Sequence, residues 1–333
     1  MRICLVTPAA PGSHHGNRVT ADRWAAILTE LGHRVQVAQD YQGQPADMLI
    51  ALHARKSAGS VQRFRADHPD GPVVLALTGT DLYPDLATSG VSGSVLEMAD
   101  RFVVLQPLGA DQLPAHLRGR ARVIYQSVTL PPAAPAPADR GGDAPPVPPS
   151  GSFDAVVLAH LRPVKDPLLA AAAARLLPAD SPVRIRHVGA VIDRELGRAA
   201  ERESRANPRY EWLGEMRRPA ALGVLAAGRV LVLTSRHEGG ANAVSEALAV
   251  GVPVLGTRIP GTVGLLGAGY PGYFPVGDAA ALCRLLVRAE RDGGLYADLR
   301  RRCALLRPLT DPAREREAWR RLLAELGPAA AGS

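Results

Sequence analysis

The residue types best suited to chemistry gather in one stretch, Val230 to Gly261, which reads VLVLTSRHEGGANAVSEALAVGVPVLGTRIPG. An apolar strand ends at Thr234, a Gly-rich loop runs from Ser235 to Asn242, and a helix opens near Ala243 with Gly251 as its cap. The backbone N–H groups of Gly239, Gly240, Ala241 and Asn242 then sit at a helix N-terminus. Such a terminus carries unsatisfied donors and suits an anion such as a diphosphate. Glu238 precedes the Gly pair and Glu246 lies one to two turns into the helix, with seven residues between them. Carboxylates at such a site repel phosphate unless they face hydroxyls, so sugar hydroxyls are their natural partners. The alternative is an ordinary strand–loop–helix unit with a loop Glu and a solvent-facing helical Glu.

A second stretch, Val156 to Pro167 (VVLAHLRPVKDP), places Arg162 and Lys165 three apart, between a strand that runs to about His160 and a helix that starts near Pro167. Two cations at the carboxyl end of a strand lie where open α/β sheets bind ligands, and they would clamp a diphosphate. Surface charge in a loop is the alternative. Composition favours the clamp: all but two of the 39 Lys and Arg residues are Arg. A Lys in such a chain marks a position that wants a compact ammonium rather than a planar fork.

The elements that must hold these residues alternate. In the first half, strands are expected at Arg2 to Thr7, Arg34 to Ala38, Met48 to Leu52, Val73 to Leu77, Phe102 to Leu105 and Arg122 to Tyr125. An amphipathic helix from Val19 to Leu31, with Trp24, Ile27, Leu28 and Leu31 inward, ends on Gly32. In the second half, strands are expected at Ala155 to Ala159, Arg184 to Val188, Tyr210 to Leu213, Val230 to Leu233 and Pro253 to Leu255. Helices are expected at Pro167 to Leu177, Ala190 to Asn207 and Ala243 to Val250. Between the halves, Pro131 to Ser152 holds eight prolines and, apart from Val147, no large aliphatic residue, the composition of a linker. Short apolar strands separated by helices imply an α/β chain of two doubly wound, Rossmann-like domains facing a central cleft. The expected domains are 1–130 and 153–310, joined by a linker at 131–152. A C-terminal helix at 311–333, with Trp319, Leu322 and Leu323 on one face, either closes the second domain or crosses back to the first.

Composition narrows the classes. The 333 residues are 47% apolar and 21% charged, the balance of a globular protein with a full core. No run approaches the roughly 18 to 20 apolar residues of a spanning helix, so membrane insertion is not expected. Cys4, Cys283 and Cys303 form no CxxC pair and read as small core residues, and a cytoplasmic, reducing location is expected. The formal charge is +7, but the arginines are scattered and only 3 Trp, 7 Tyr and 4 Phe exist to stack bases. No nucleic-acid partner is expected, and a basic cleft for small anions is more economical. A Rossmann dehydrogenase is disfavoured because the first strand leads into Ser13-His14-His15-Gly16-Asn17 rather than G-x-G-x-x-G.

The two stretches, in this order and separation, resemble the retaining nucleotide-sugar glycosyltransferases of family 4, which have the GT-B fold. The family pattern is a strand, then G-R-L-x-x-x-K-G, and some way on P-S-x-x-E-G-x-x-x-x-x-x-E-A. Arg162 and Lys165 match its Arg and Lys, Glu238 and Glu246 its glutamates, and ALAVGVP at Ala247 to Pro253 its tail. Tyr210 to Met216 (YEWLGEM), with Leu213 and Gly214, looks like the segment beside the uracil. The resemblance implies that Arg162 and Lys165 meet the diphosphate and that Glu246 holds the ribose. Glu238 and the Gly239–Asn242 loop would then hold the donor sugar. Gly16 and Asn17 stand where the family's N-terminal Gly-rich loop approaches a phosphate. The chain departs from the pattern at Ala159-His160-Leu161, in place of the usual Gly, and at Thr78-Gly79-Thr80-Asp81, in place of H-G-x-D.

The segments HHGNRVTADRWAAILTELGHRV, ALHARKSAGS and LTGTDLY are similar to one subgroup, the selenosugar synthases of selenoneine biosynthesis. That resemblance implies transfer from a UDP-sugar, UDP-N-acetylglucosamine or UDP-glucose, to selenophosphate, with release of UDP. His14, His15, Arg18, His53, Arg55 and Lys56 fall in loops after first-domain strands and suit an anionic acceptor; Thr78 and Asp81 are placed with them. The alternative for His53 to Ser60 is a helix start with a basic exposed turn. No D-x-D occurs, so a metal-independent reaction without a cofactor is expected. An anionic, soft selenium nucleophile needs little help from a general base. Three other readings stay open: a hydroxyl-acceptor glycosyltransferase, a UDP-sugar 2-epimerase, and a nucleotide-binding module without catalysis.

Overall fold

Runs of five buried residues, Met48–Leu52 and Val73–Leu77, are apolar along their whole length, which only a strand covered on both faces tolerates. The computed structural model describes residues 1–13, 16–79, 81–83, 86, 88, 93–130 and 151–327, and these divide into two compact units. Unit 1 comprises Met1–Ser127, Glu238–Gly240 and Pro312–Ser333; unit 2 comprises Val128–His237 and Ala241–Asp311. Most of the expected linker, 131–150, lies outside the described residues, as do His14 and His15. Among the described residues no helix is long and apolar enough to cross a membrane.

Unit 1 holds strands β1 (Arg2–Val6), β2 (Arg34–Ala38), β3 (Met48–Leu52), β4 (Val73–Leu77), β5 (Arg101–Val104) and β6 (Ala121–Val123). Helices α1 (Gly16–Glu30), α2 (Ala58–Asp67) and α3 (Gly93–Glu97) lie between them in sequence. The sheet is parallel, in the order β2-β1-β3-β4-β5-β6, so strand order reverses between β1 and β3. One face packs Phe64, Val61 and Leu117; the other packs Trp24, Leu28 and Ile27.

That second face also takes Trp319, Leu322 and Leu323 from the last helix of the chain, Pro312–Leu326. Trp24 and Trp319 meet edge to face with ring centroids 4.8 Å apart. Glu315 of the same helix is fully buried and accepts from Trp24 Nε1 at 2.8 Å, Arg23 Nε at 3.0 Å and Ser127 N at 2.8 Å. The Ser127 hydroxyl donates to it as well. A buried carboxylate satisfied on this many sides ties the helix to unit 1. Near its end, Arg122 and Arg101 hold the Glu325 carboxyl down to about 2.

Unit 2 holds strands β7 (Phe153–Leu158), β8 (Val183–Val188), β9 (Tyr210–Trp212), β10 (Val230–Leu233), β11 (Val254–Thr257) and β12 (Tyr273–Phe274). Its helices are α4 (Leu169–Arg175), α5 (Arg194–Ala206), α6 (Arg218–Ala227), α7 (Asn242–Val250), α8 (Pro260–Leu266), α9 (Ala279–Arg291) and α10 (Gly293–Leu306); the helix Pro312–Leu326 is α11. The parallel sheet runs β12-β11-β10-β7-β8-β9, and strand order reverses between β10 and β7. This is the doubly wound order in which each half of the sheet is built outward from the centre.

Two expected helix starts move by three residues or more. The helix expected from Ala190 starts at Arg194, because Asp193 caps it by accepting from Glu195 N and Leu196 N. Ile192 N and Asp193 N, in the loop after β8, instead donate to the Leu161 carbonyl in the loop after β7, which ties the two loops together. The first helix starts at Gly16 rather than Val19, its first turn supported by the Arg18–Asp22 ion pair at 2.8 Å.

Candidate functional site

In a doubly wound sheet, ligands bind beyond the carboxyl ends of the two strands where the order reverses. In unit 2 those strands are β7 and β10, and they lead directly into the two stretches singled out from sequence. Arg162 follows β7, and Pro163–Lys165 forms one 3₁₀ turn ending at Lys165. Three bonds stitch this turn to the loop after β10. Thr234 Oγ1 donates to the Lys165 carbonyl at 2.8 Å, Arg236 N donates to the Val164 carbonyl at 2.8 Å, and Arg236 pairs with Asp166 at 2.9 Å. Arg162 Nε is buried without a hydrogen-bond partner, so its guanidinium carries an unmet donor.

The Gly-rich loop leads into α7, whose N-cap Ala241 provides no side-chain cap. No acidic residue stands in the first turn of α7, so its leading N–H groups face no built-in carboxylate there. Glu246 lies one turn in, its side chain 15% exposed, and accepts from Arg218 Nε at 3.1 Å. Leu213 N donates to the His187 carbonyl at 2.8 Å, while Gly214, at φ +74°, turns the chain so that its carbonyl accepts from Gly189 N. The unit therefore brings Arg162, Lys165, Leu213, Gly214, Ala241, Asn242 and Glu246 to the carboxyl side of one sheet.

The end of β7 is packed closely against the residue that follows β8. A Cβ on Gly189 would lie 1.9 Å from the Ala159 carbonyl oxygen. His187 braces the same turn: its Nε2 donates to the Ala159 carbonyl at 2.8 Å and its Nδ1 accepts from the Tyr210 hydroxyl at 2.7 Å. Complete burial pushes the His187 imidazole down to about 4 and pushes the Tyr210 phenol up.

In unit 1 strand order reverses between β1 and β3; of the expected acceptor residues, Arg18 follows β1, His53, Arg55 and Lys56 follow β3, and Thr78 and Asp81 follow β4. Residues 53–56 form a turn and α2 starts only at Ala58, so Arg55 and Lys56 are exposed loop cations. His53 differs from expectation. It is 4% exposed and held at φ +68°, and burial lowers its pKa; Asp81 opposes that shift, while Lys56 and Arg55 add to it. His53 is thus a buried ring rather than an exposed one.

Asp81 is buried as well. It is fully buried, with one carboxylate oxygen accepting from Ala54 N and the other from Gly79 N, each at 2.9 Å. It braces the loops after β3 and β4. Thr78 follows β4 with its hydroxyl buried and unbonded. Gly16, Asn17 and Arg18 form the first turn of α1, and the charge of Arg18 is partly met by Asp22. Within the same unit, Gly239 packs so tightly that a Cβ would fall 2.6 to 2.7 Å from the backbone of Thr78 and Gly79, so only Gly fits.

Comparison with known proteins agrees with this fold. Residues 154–292 match the family described as Glycosyl transferases group 1. The chain shares 15% identity with HepE of Anabaena, solved with UDP and glucose, at a TM-score of 0.71 over 98% of this chain and 100% of that one. The chain has the GT-B fold. Other GT-B structures agree: sucrose-phosphate synthase of Thermosynechococcus elongatus has 15% identity and a TM-score of 0.71, over 97% of this chain and 99% of that one. A glycosyltransferase of Rickettsia africae has 13% identity and a TM-score of 0.72, over 99% of each chain.

Sequence reasoning missed Thr234, His187, Gly189 and Arg218. His187 was legible in principle, since Val183, Ile185 and His187 alternate in phase on β8 and are all buried. Arg218 carries no local signal.

Proposed function

We propose that the protein is a retaining, metal-independent UDP-sugar glycosyltransferase acting in the cytoplasm, with selenophosphate as its acceptor. The observation that carries the transferase reading is the stitched pair of loops at the strand reversal of unit 2, which presents Arg162 and Lys165 beside the loop leading to Glu238 and α7. Arg162, Lys165 and the loop amides neutralise the charge that grows on UDP as the bond from the anomeric carbon to the diphosphate oxygen breaks. Glu246 grips the ribose and Glu238 the donor sugar. HepE, solved with UDP-glucose, supports a UDP-sugar as donor; UDP-N-acetylglucosamine is our first choice and UDP-glucose the second.

The acceptor assignment rests on the subgroup resemblance and on Arg55 and Lys56, two exposed cations at the strand reversal of unit 1. Selenium supplies the electron pair for the new bond to the anomeric carbon, on the face that UDP leaves, and the old bond's pair departs with UDP. A hydroxyl acceptor is the second reading, favoured by the likeness to sucrose-phosphate synthase. Product analysis separates them: the first yields a selenium-bearing sugar only when selenophosphate is supplied, the second a glycoside made without selenium.

A further inference from the structure

Glu246 sits within α7 among buried neighbours, Val244, Ser245, Ala247 and Leu248, where a carboxylate is costly unless a partner meets it. That partner is Arg218, the first residue of α6, whose Nε donates to Oε1 at 3.1 Å. Arg218 follows directly on the loop that leaves β9, Leu213 to Arg217, and α6 packs against α7. One side chain therefore connects the loop after β9 to a carboxylate on another helix. We propose that Arg218 is a positioning residue for the bound nucleoside: it fixes the Glu246 carboxylate relative to the loop after β9, so that the base and ribose of the nucleotide are read at a set spacing. This rests on the assignment of Glu246 to the ribose given above. Arg218 does not itself touch the reacting atoms. A Lys at this position would keep the charge but lose the planar donor geometry.

The test is hydroxyl discrimination, which a merely structural ion pair would not move. Binding of UDP, 2′-deoxy-UDP and 3′-deoxy-UDP to the full chain is measured by calorimetry for the parent, Glu246→Gln, Arg218→Ala and Arg218→Lys. The parent is expected to prefer UDP over at least one deoxy analogue by about tenfold, the scale of one charge-assisted hydrogen bond, and both Glu246→Gln and Arg218→Ala to shrink this to about threefold or less. Arg218→Lys is expected to restore part of the preference. If Arg218→Ala loses its cooperative melt, Arg218→Met, which keeps the aliphatic stem, carries the same comparison. A preference lost in Glu246→Gln but kept in the Arg218 variants overturns the positioning role alone. Equal weakening of all three nucleotides in Arg218→Ala, with the preference intact, overturns it too. A parent that binds all three equally overturns the ribose assignment, and this inference with it.

Discussion

The Thr234 hydroxyl donates to the carbonyl of Lys165 at 2.8 Å, tying the end of β10 to the turn that follows β7. The bond fixes the backbone of the very residue whose ammonium is assigned to the diphosphate. Lys165→Ala should lower turnover at saturating donor by at least about tenfold, roughly 1.4 kcal/mol of transition-state stabilisation. Thr234→Val, which removes only the tether, should have a smaller effect in the same direction. Steady-state kinetics check both, and near-normal turnover in Lys165→Ala would remove that residue from the site.

The two glutamates should separate kinetically. Glu246→Ala should chiefly raise the donor KM, because ribose contacts are similar in the ground and transition states. Glu238→Ala should chiefly lower kcat, because it holds the sugar that reacts. The reverse pattern would exchange their roles.

Arg55 and Lys56 should matter to the acceptor and not to the donor. Arg55→Ala and Lys56→Ala are each expected to lower acceptor kcat/KM by about tenfold, near the lower end for a charge-assisted contact because both side chains are exposed. UDP binding should be nearly unchanged. Added salt should reproduce part of the loss, since an open site is screened. Full selenophosphate use by both variants would point to a hydroxyl acceptor.

His187 predicts an acid limit for unit 2. Its imidazole is held at about 4 in the folded protein, because burial disfavours the charged ring. The unfolded chain titrates near the ordinary value of about 6.5 and takes up the proton more readily. Stability from this group is therefore intact above about pH 6.5, falls as pH drops toward 4, and falls no further below that, for a total of about 3 kcal/mol. Melting temperatures from pH 8 to 4.5 should show a shallower acid decline for His187→Gln than for the parent. Identical slopes would mean that the ring titrates normally.

Much of this arrangement was legible along the chain. β3, β4 and β10 fall at the bounds their apolar runs predict, because a strand buried on both faces has no polar residue to blur its ends. The order of strands within each sheet was not legible, since pairing is set by long-range packing; yet that order is what puts Arg162 and Lys165 beside the loop after β10. Asp81 illustrates a second limit. Nothing in the sequence around a loop aspartate marks the backbone N–H groups it braces, and only the fold brings Ala54 N and Gly79 N to Asp81. The two-residue strand β12 is too short to leave a periodic signal.

The measurement that bears most directly on the central claim is UDP release from UDP-N-acetylglucosamine, followed with and without selenophosphate and repeated with UDP-glucose. The account predicts rapid release that depends on selenophosphate and is matched, mole for mole, by a selenium-bearing sugar. Release that ignores selenophosphate, or no release from either UDP-sugar, would contradict it.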